Sequence, residues 1–318
     1  MKPRHLILAA LLAVSSAPAF AQSLTFMPQD SDQPIVVDAE KGIEVQTDAR
    51  RVIARGNAKA SQGEVSIVGD ELIAYYRARP QGGDEVYRVF ATGNVSMRSA
   101  EETATGETAV YDFDKGVLVL EGKLVRLANA DGTVTAHNAL QYWATERVAV
   151  AEGDAVAEDS EKRRVFADKL IAFFREDSPG AKPAAKASGV ATAARGRGDI
   201  TFLQGFGNVR VETPKETVRG ERASYNIETG IVTLDGNVKL TQNQNVLSGG
   251  FAVVNVRGGT SRIYGSAKEA GMAGTRENPR VRALIAPSAT PDPVVPRAPG
   301  TQPASATSPS SATPKAKP

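Results

Sequence analysis

"IVTLDGNVKLTQ" (231–242) is the stretch whose reading decides the fold. Val232, Leu234, Val238 and Leu240 are apolar at even spacing, so they share one side of an extended chain. Gly236 falls on that same side. A glycine weakens a strand and gives a core nothing to pack, so its place on the side to be buried needs a reason.

The stretch recurs. "RVIARGNAKA" (51–60), "RVFATGNVSM" (88–97), "VLVLEGKLVRL" (117–127), "VAVAEGDAVAE" (148–158) and "TFLQGFGNVRVE" (201–212) resemble it. Their glycines are Gly56, Gly93, Gly122, Gly153 and Gly207, and each is followed by Asn, Lys or Asp. A second signature follows each first one: "VGDELIAYY" (68–76), "TGETAVYD" (105–112), "AHNALQYW" (136–143), "ADKLIAFF" (167–174), "RGERASYN" (219–226) and "SGGFAVVN" (248–255). From first glycine to the Gly or Ala of the second signature is 13 or 14 residues. The period is about 30 residues, present six times, which marks a stacked repeat architecture.

In every copy the glycine lies on the apolar side. Its companions by twos include Val52, Ala54, Ala58 and Ala60, then Val89, Ala91, Val95 and Met97. Leu118, Leu120 and Leu124 follow, then Ala149 to Ala157, Leu203, Val209 and Val211. The opposite sides are polar or mixed, as in Arg55, Asn57 and Lys59. The pattern predicts a repeated corner, where each strand bends and the inner wall comes close to another backbone. It predicts an all-β stack of strands over residues 35–268 with a narrow apolar interior. The candidate lining is Val52, Ala54, Val89, Val95, Met97, Leu118, Leu120, Leu124, Leu203, Val209, Val232, Leu234, Val238 and Leu240. Periodicity alone fits an ordinary dry core as well.

Composition agrees. The chain is 41% hydrophobic but only 6% aromatic, so small and β-branched residues supply the apolar content. "MKPRH", "LILAALLAV" (6–14) and Ala19-Phe20-Ala21 read as a secretory signal peptide over 1–21, cleaved near Ala21. Without Lys2 and Arg4, the 38 basic and 36 acidic residues balance, which disfavours a nucleic-acid partner. The chain has no cysteine, and past the signal its one histidine is His137. Disulfides, the usual zinc sites and His-based triads are therefore not expected, and no cofactor is expected.

Two insertions interrupt the period. "ARPQGGDE" (78–85) reads as a longer turn, and 175–199, rich in Ala, Gly, Ser and Lys, reads as a mobile loop. The Pro/Ser/Ala-rich tail 286–318 reads as disordered. At the ends, "IVVDAEKGIEV" (35–45) resembles a second signature and "SRIYGSAKEAG" (261–271) a first one. The body thus opens on half a repeat and closes on the other half. Open edges invite strand addition, so two readings stand: head-to-tail self-association, or an edge capped by the Pro-rich tail.

The leader, "VVDAEKGIEV", "VIARGNAKA", "SIVGDELIAYY", "FATGNVSM" and "IETGIVTLDGNVKL" together resemble the OstA-like, or LptA, family. The resemblance covers about 35–268. It implies an open β-jellyroll of stacked antiparallel strands, located in the periplasm after signal cleavage, and a non-enzymatic bridge that carries lipopolysaccharide between the two membranes. It implies lipopolysaccharide (lipid A) as ligand. It also implies an LptC-like periplasmic domain and an LptD-like outer-membrane protein as partners, joined by edge strands. Arg55, Lys59, Arg126, Arg210 and Lys239 are candidates to meet lipid phosphates. Two other classes remain open from the residues. One is a structural or adhesive β-repeat protein. The other is a carbohydrate-active β-helix enzyme using carboxylates such as Asp70, Glu107, Asp168 and Glu221.

Overall fold

The computed structural model describes residues 34–175, 200–272 and 280–284, apart from Gln81, Glu101, Asp131, Glu161, Lys215 and Gly259. The signal peptide, the 286–318 tail and nearly all of the 175–199 insertion lie outside the described residues.

The described body is antiparallel strand throughout, each line hydrogen-bonded to the one before it in sequence. It opens with two short pieces, β1 (Val36–Asp38) and β2 (Ile43–Gln46), both on β3 (Arg51–Gln62). Then come β4 (Val65–Ala78), β5 (Asp84–Arg98) and β6 (Glu102–Asp112). The next two lines are each broken in two: β7 (Val117–Glu121) with β8 (Val125–Asn129), and β9 (Gly132–Ala136) with β10 (Ala139–Trp143). Unbroken lines resume with β11 (Val148–Asp159), β12 (Arg164–Phe174), β13 (Ile200–Glu212), β14 (Thr217–Asn226), β15 (Ile231–Gln242) and β16 (Asn245–Asn255). The ladder ends on β17 (Thr260–Tyr264) and β18 (Arg282–Leu284), both on β16. Eighteen strands therefore make fourteen lines, because four lines are broken in two.

The lines that carry a first-signature glycine fold at it. On β5, Gly93 and Asn94 both have positive φ, +73° and +50°. The same pair of left-handed residues occurs at Gly56-Asn57, Gly153-Asp154, Gly207-Asn208 and Gly236-Asn237. Asn and Asp tolerate this region better than other side-chain-bearing residues. The two residues of each pair face a single residue on the following strand, so each pair is a bulge: Gly93 and Asn94 lie opposite Glu107 alone. Apolar parity survives on the bulged strand, with Ala54 and Ala58 both buried four residues apart. On the facing strand it jumps by three, from Gly69 to Leu72. Both halves of both strands therefore keep their apolar side inward.

What occupies the glycine's missing side-chain position corrects the expectation of an approaching inner wall. A Cβ on Gly93 would lie 2.1 Å from an oxygen of Asp70, and one on Gly207 2.0 Å from an oxygen of Asp168. At Gly56 the vacant position meets Lys41 and at Gly153 Asn138, but at Gly93, Gly207 and Gly236 left-handed φ turns it onto a carboxylate of the preceding strand. That carboxylate accepts from the amide of the next residue: Asn94 donates to Asp70 (3.2 Å), Asn208 to Asp168 (3.0 Å) and Asn237 to Glu221 (2.7 Å). At the first line Asn57 donates to Glu40 (3.2 Å).

No helix lies among the described residues to cover the inner faces, so the two halves of the folded ladder cover each other. They form two walls. The first wall holds the residues of β5 before its corner and their neighbours across the ladder, and the second wall holds those after it. One cluster, with Ala54, Leu72 and Leu120 on the first wall and Ala58, Val95 and Val125 on the second, runs along most of the ladder. A smaller cluster of Val218, Leu234, Val238, Leu240 and Ala252 continues it toward the C-terminal end.

The third copy departs from the pattern. Lysine is a poor left-handed residue, and neither Gly122 nor Lys123 adopts positive φ. The line breaks there, and Gly122-Lys123-Leu124 spans the gap between β7 and β8. That is one residue more than the Gly-Asn corners use, so the inward alternation slips by one. Leu124, expected on the apolar side, is 57% exposed, while Val125 is 0% exposed.

Gly93→Ala combines a left-handed φ with a clash against Asp70, whereas Gly82→Ala meets only the φ, since nothing lies within 4 Å. Urea unfolding should show Gly93→Ala costing about 2–3 kcal/mol and Gly82→Ala about 1 kcal/mol. Because the chain has no cysteine, Leu124→Cys should react with a thiol reagent in the native state while Val125→Cys is protected.

Candidate functional site

The candidate site is the interior between the two walls. Of the expected lining, Ala54, Val89, Val95, Met97, Leu118, Leu120, Val209, Leu234, Val238 and Leu240 are buried. Val52, Leu203 and Val232 are half-buried. Leu124 is the exception, turned outward by the slipped third corner. The structure brings Ala54, Val95, Met97, Leu118 and Leu120 into the long cluster, with Leu203 packed against it. Leu234, Val238 and Leu240, with Val232 beside them, form the short cluster. Within each cluster these side chains pack against one another.

Much of the packing is between small residues. Ala54, Ala58, Ala91, Ala104, Ala109, Ala151, Ala155 and Ala172 all sit in the long cluster. Larger rings gather at the lip of the first wall. Tyr111 and Phe113 meet edge-on at 4.4 Å between centroids, and Tyr142 meets Phe174 at 6.0 Å. All four belong to or pack on the long cluster. Counting from the glycines gave these rings no role. The signal was there: "AVYD", "LQYW" and "IAFF" each end the second signature with a ring at inward parity.

Asp112 fixes that lip. It lies between Tyr111 and Phe113, and its side chain is buried. It accepts from the Lys115 backbone N–H (3.1 Å) and from Arg88 (2.5 Å). Burial pushes its carboxyl upward, but the Arg88 guanidinium and the Lys115 amide outweigh that and hold it below the ordinary aspartate range.

The opposite face of the first wall is less polar than expected. Phe90, Val110 and Val119 are directly opposed across neighbouring strands, and Val150 opposes Ile171 in the same row. In the adjacent row Trp143 opposes both Val117 and Val148 and is 37% exposed.

The basic residues named from sequence also lie on outer faces. Arg55 is bound by Glu71 (2.6 Å) and Glu44 (2.9 Å). Arg210 pairs with Glu212 and lies 3.7 Å over the Phe166 ring. Arg126 reaches Thr133 at 3.4 Å, and Lys59 and Lys239 are exposed. Lys59 borders a shallow depression at the first corner with Asp38, Ala39, Glu40, Asn57 and Val68. Asp70, Asp168 and Glu221 are corner pieces bound to asparagines, and Glu107 packs on Gly122. They are spread along the ladder, one to a repeat, rather than brought together as an acid and base.

The site and fold define a class: an all-β, two-walled stack with an apolar interior and, among the described residues, no strand beyond its first and last lines. Comparison with known proteins agrees. The family model described as "LptA/(LptD N-terminal domain) LPS transport protein" matches residues 37–147 and 133–260, more than half of the chain. The chain belongs to this family of lipopolysaccharide-transport proteins. An uncharacterized protein of Rhizobium meliloti (strain 1021) is 28% identical over 127 residues, covering 38% of this chain and 68% of that protein. A crystal structure of LptH, the LptA-homologous periplasmic component of the lipopolysaccharide transport device of Pseudomonas aeruginosa, is 14% identical. The match covers 82% of this chain and all of the other, at a TM-score of 0.20.

Asp112→Asn should lower stability by about 1–2 kcal/mol at pH 7, the partly exposed Arg88 limiting the loss. A carboxylate with a lowered pKa stabilises the fold above its unfolded value near 4, and that contribution disappears as pH falls. The gap between wild type and variant in urea unfolding should therefore be full at pH 7 and shrink progressively as pH falls below about 4.

Proposed function

We propose that this protein is a periplasmic lipopolysaccharide-binding transport protein that bridges inner- and outer-membrane transport components and shields acyl chains between its two walls. The observation that carries this reading is the apolar interior running along the ladder from β3 to β16. An acyl chain of a dozen methylenes resists water by about 10 kcal/mol, so a multi-acyl lipid needs a continuous shelter. Packing between small apolar side chains has no direction. It offers similar binding at each repeat and no deep trap along the way. Lipid enters by parting walls that rest on one another in its absence. The reading involves transport without covalent chemistry, and the mature chain begins after the signal peptide.

The ends supply the bridge. Ile35, Val36, Ile43, Val45, Val256, Met272, Val281 and Leu284 are eight of the ten exposed large hydrophobics among the described residues, and all lie at the two terminal edges. Among the described residues β1 and β2 pair only with β3, and β17 and β18 only with β16. An LptC-like domain, an LptD-like protein or a second copy of this chain is joined there by strand addition.

A photo-crosslinker at Leu118, which faces inward, should capture lipopolysaccharide, and one at its neighbour Val119, on the outer face, should not. Equal capture at both sites, or capture at Val119 alone, would remove the interior from the transport route. In cells, depletion should leave lipopolysaccharide at the inner membrane.

A further inference from the structure

The C-terminal end of the ladder is built from two pieces of chain. At Gly265 the strand does not carry on through a Gly-Asn corner. The Gly265 N–H is taken by Glu269 (2.9 Å), and the chain turns aside with Ser266 and Ala267 buried. It returns as β18, in line with β17 along the same neighbour. β17 pairs with Phe251–Asn255 on the first wall, and β18 pairs with Val246–Ser248 on the second. β18 itself is three exposed residues. We propose that β18 completes the last rung and that the finished edge takes the first line of a second copy in one register, with Arg282 facing Asp38 and Arg262 facing Glu44 of that copy. This rests on the strand-addition reading above and specifies it.

Direction comes first. The lines alternate, so the first line (β1 and β2) runs parallel to β16 and opposite to β17 and β18. A second copy's β1 laid directly on β16 would be a parallel neighbour in an antiparallel ladder. Laid on β18 it continues the alternation. Without β18 the second wall would end one line before the first wall, and an incoming first line could not pair on both.

The repeat then fixes the register. On the second wall one outward row runs Arg210, Arg219, Lys239, Ser248, Arg282. At the other end of the molecule the same row begins Asp38, Lys59. Asp38 holds the place in its line that Ser248 holds in β16, so extending the row past Arg282 meets Asp38. On the first wall the matching row ends Thr233, Val253, Arg262 and begins Glu44, Ile53. Two rows on two walls, set independently, both bring an arginine to a carboxylate. In the same register Ala283 meets Val37 on the inward side.

The charges favour this docking. Arg219 and Lys239 are directly opposed like charges, and the row they lead to ends at Arg282 with no carboxylate. Neither Arg262 nor Arg282 has an ion pair among the described residues. Glu44 is held below its ordinary range by the Gln46 amide and Arg55, so it arrives charged. An incoming first line brings anions to a cationic edge and covers the exposed Leu284 and Val36.

The absence of cysteine makes the test clean. A Val37→Cys chain and an Ala283→Cys chain are mixed at high concentration and oxidised mildly. Directly opposed residues lie within disulfide reach, and residues two positions off do not. A 37–283 heterodimer should form, and an Ile35→Cys chain with the Ala283→Cys chain should give at least tenfold less. Asp38→Arg should weaken association with wild type about tenfold, and an Arg282→Asp partner should restore it. Preferential 35–283 linkage would overturn this register while leaving strand addition intact. Monomers by light scattering with no linkage from any pair would overturn both the register and strand addition between copies.

Discussion

The fold depends on a two-against-one mismatch at every Gly-Asn or Gly-Asp corner, five of the six glycine corners. Two left-handed residues, glycine then asparagine or aspartate, are set against one residue of the next strand. This lets a long strand turn back without changing which side is apolar. The carboxylate of the preceding strand rests on the glycine and accepts from the asparagine, so neighbouring corners are tied in sequence. Remove the glycine and the carboxylate has nowhere to lie. Remove the asparagine and the left-handed pair loses its better-tolerated second member. The corner is the shared cause of the folded line, the two walls and the interior between them.

Most of this was legible because strand parity has a period of two and the glycine recurs at fixed spacing. The six glycines and the inward alternation followed from residues in one dimension. What failed was the neighbour of the glycine. Parity assigned it to the inner face, but positive φ rotates the missing side chain toward Asp70 or Asp168 on the adjoining strand. That is a three-dimensional fact with a sequence hint, since Asp70, Glu107, Asp168 and Glu221 recur with the same period. Leu124 failed for a related reason. Counting by twos assumes that every corner has the same length, and lysine in place of asparagine breaks that assumption.

The candidate site was legible to a lesser degree. The inward residues were recognised by type, because alternation of Ala, Val and Leu says which side is hidden. Alternation says nothing about whether two hidden sides touch each other or a ligand, and here they touch each other. The outer row through Phe90, Val110 and Val119, resumed beyond Gln141 by Val150 and Ile171, was missed because its members meet only across strands. Cross-strand rows exist only once register is fixed, and register depends on the bulges.

Walls that rest on one another are compatible with a lipid route. The balance lies between the apolar surface bared when the walls part and the apolar surface covered again when lipid fills the gap. Alanine presents little more than a methyl group, so parting an alanine-lined stretch such as Ala54, Ala91 and Ala109 forfeits little buried area per residue. An acyl chain laid in the gap buries its own methylenes and covers both walls again, at about 0.8 kcal/mol per methylene. Leucine and phenylalanine in those places would have made a tighter core and a harder opening. The choice of small residues inside, with rings held at the lip by Asp112, thus suits an interior that closes when empty and yields when filled. The corners fit the same requirement: the asparagine–carboxylate ties lie on the outer surface, where they can hold the bend whether the walls are together or apart.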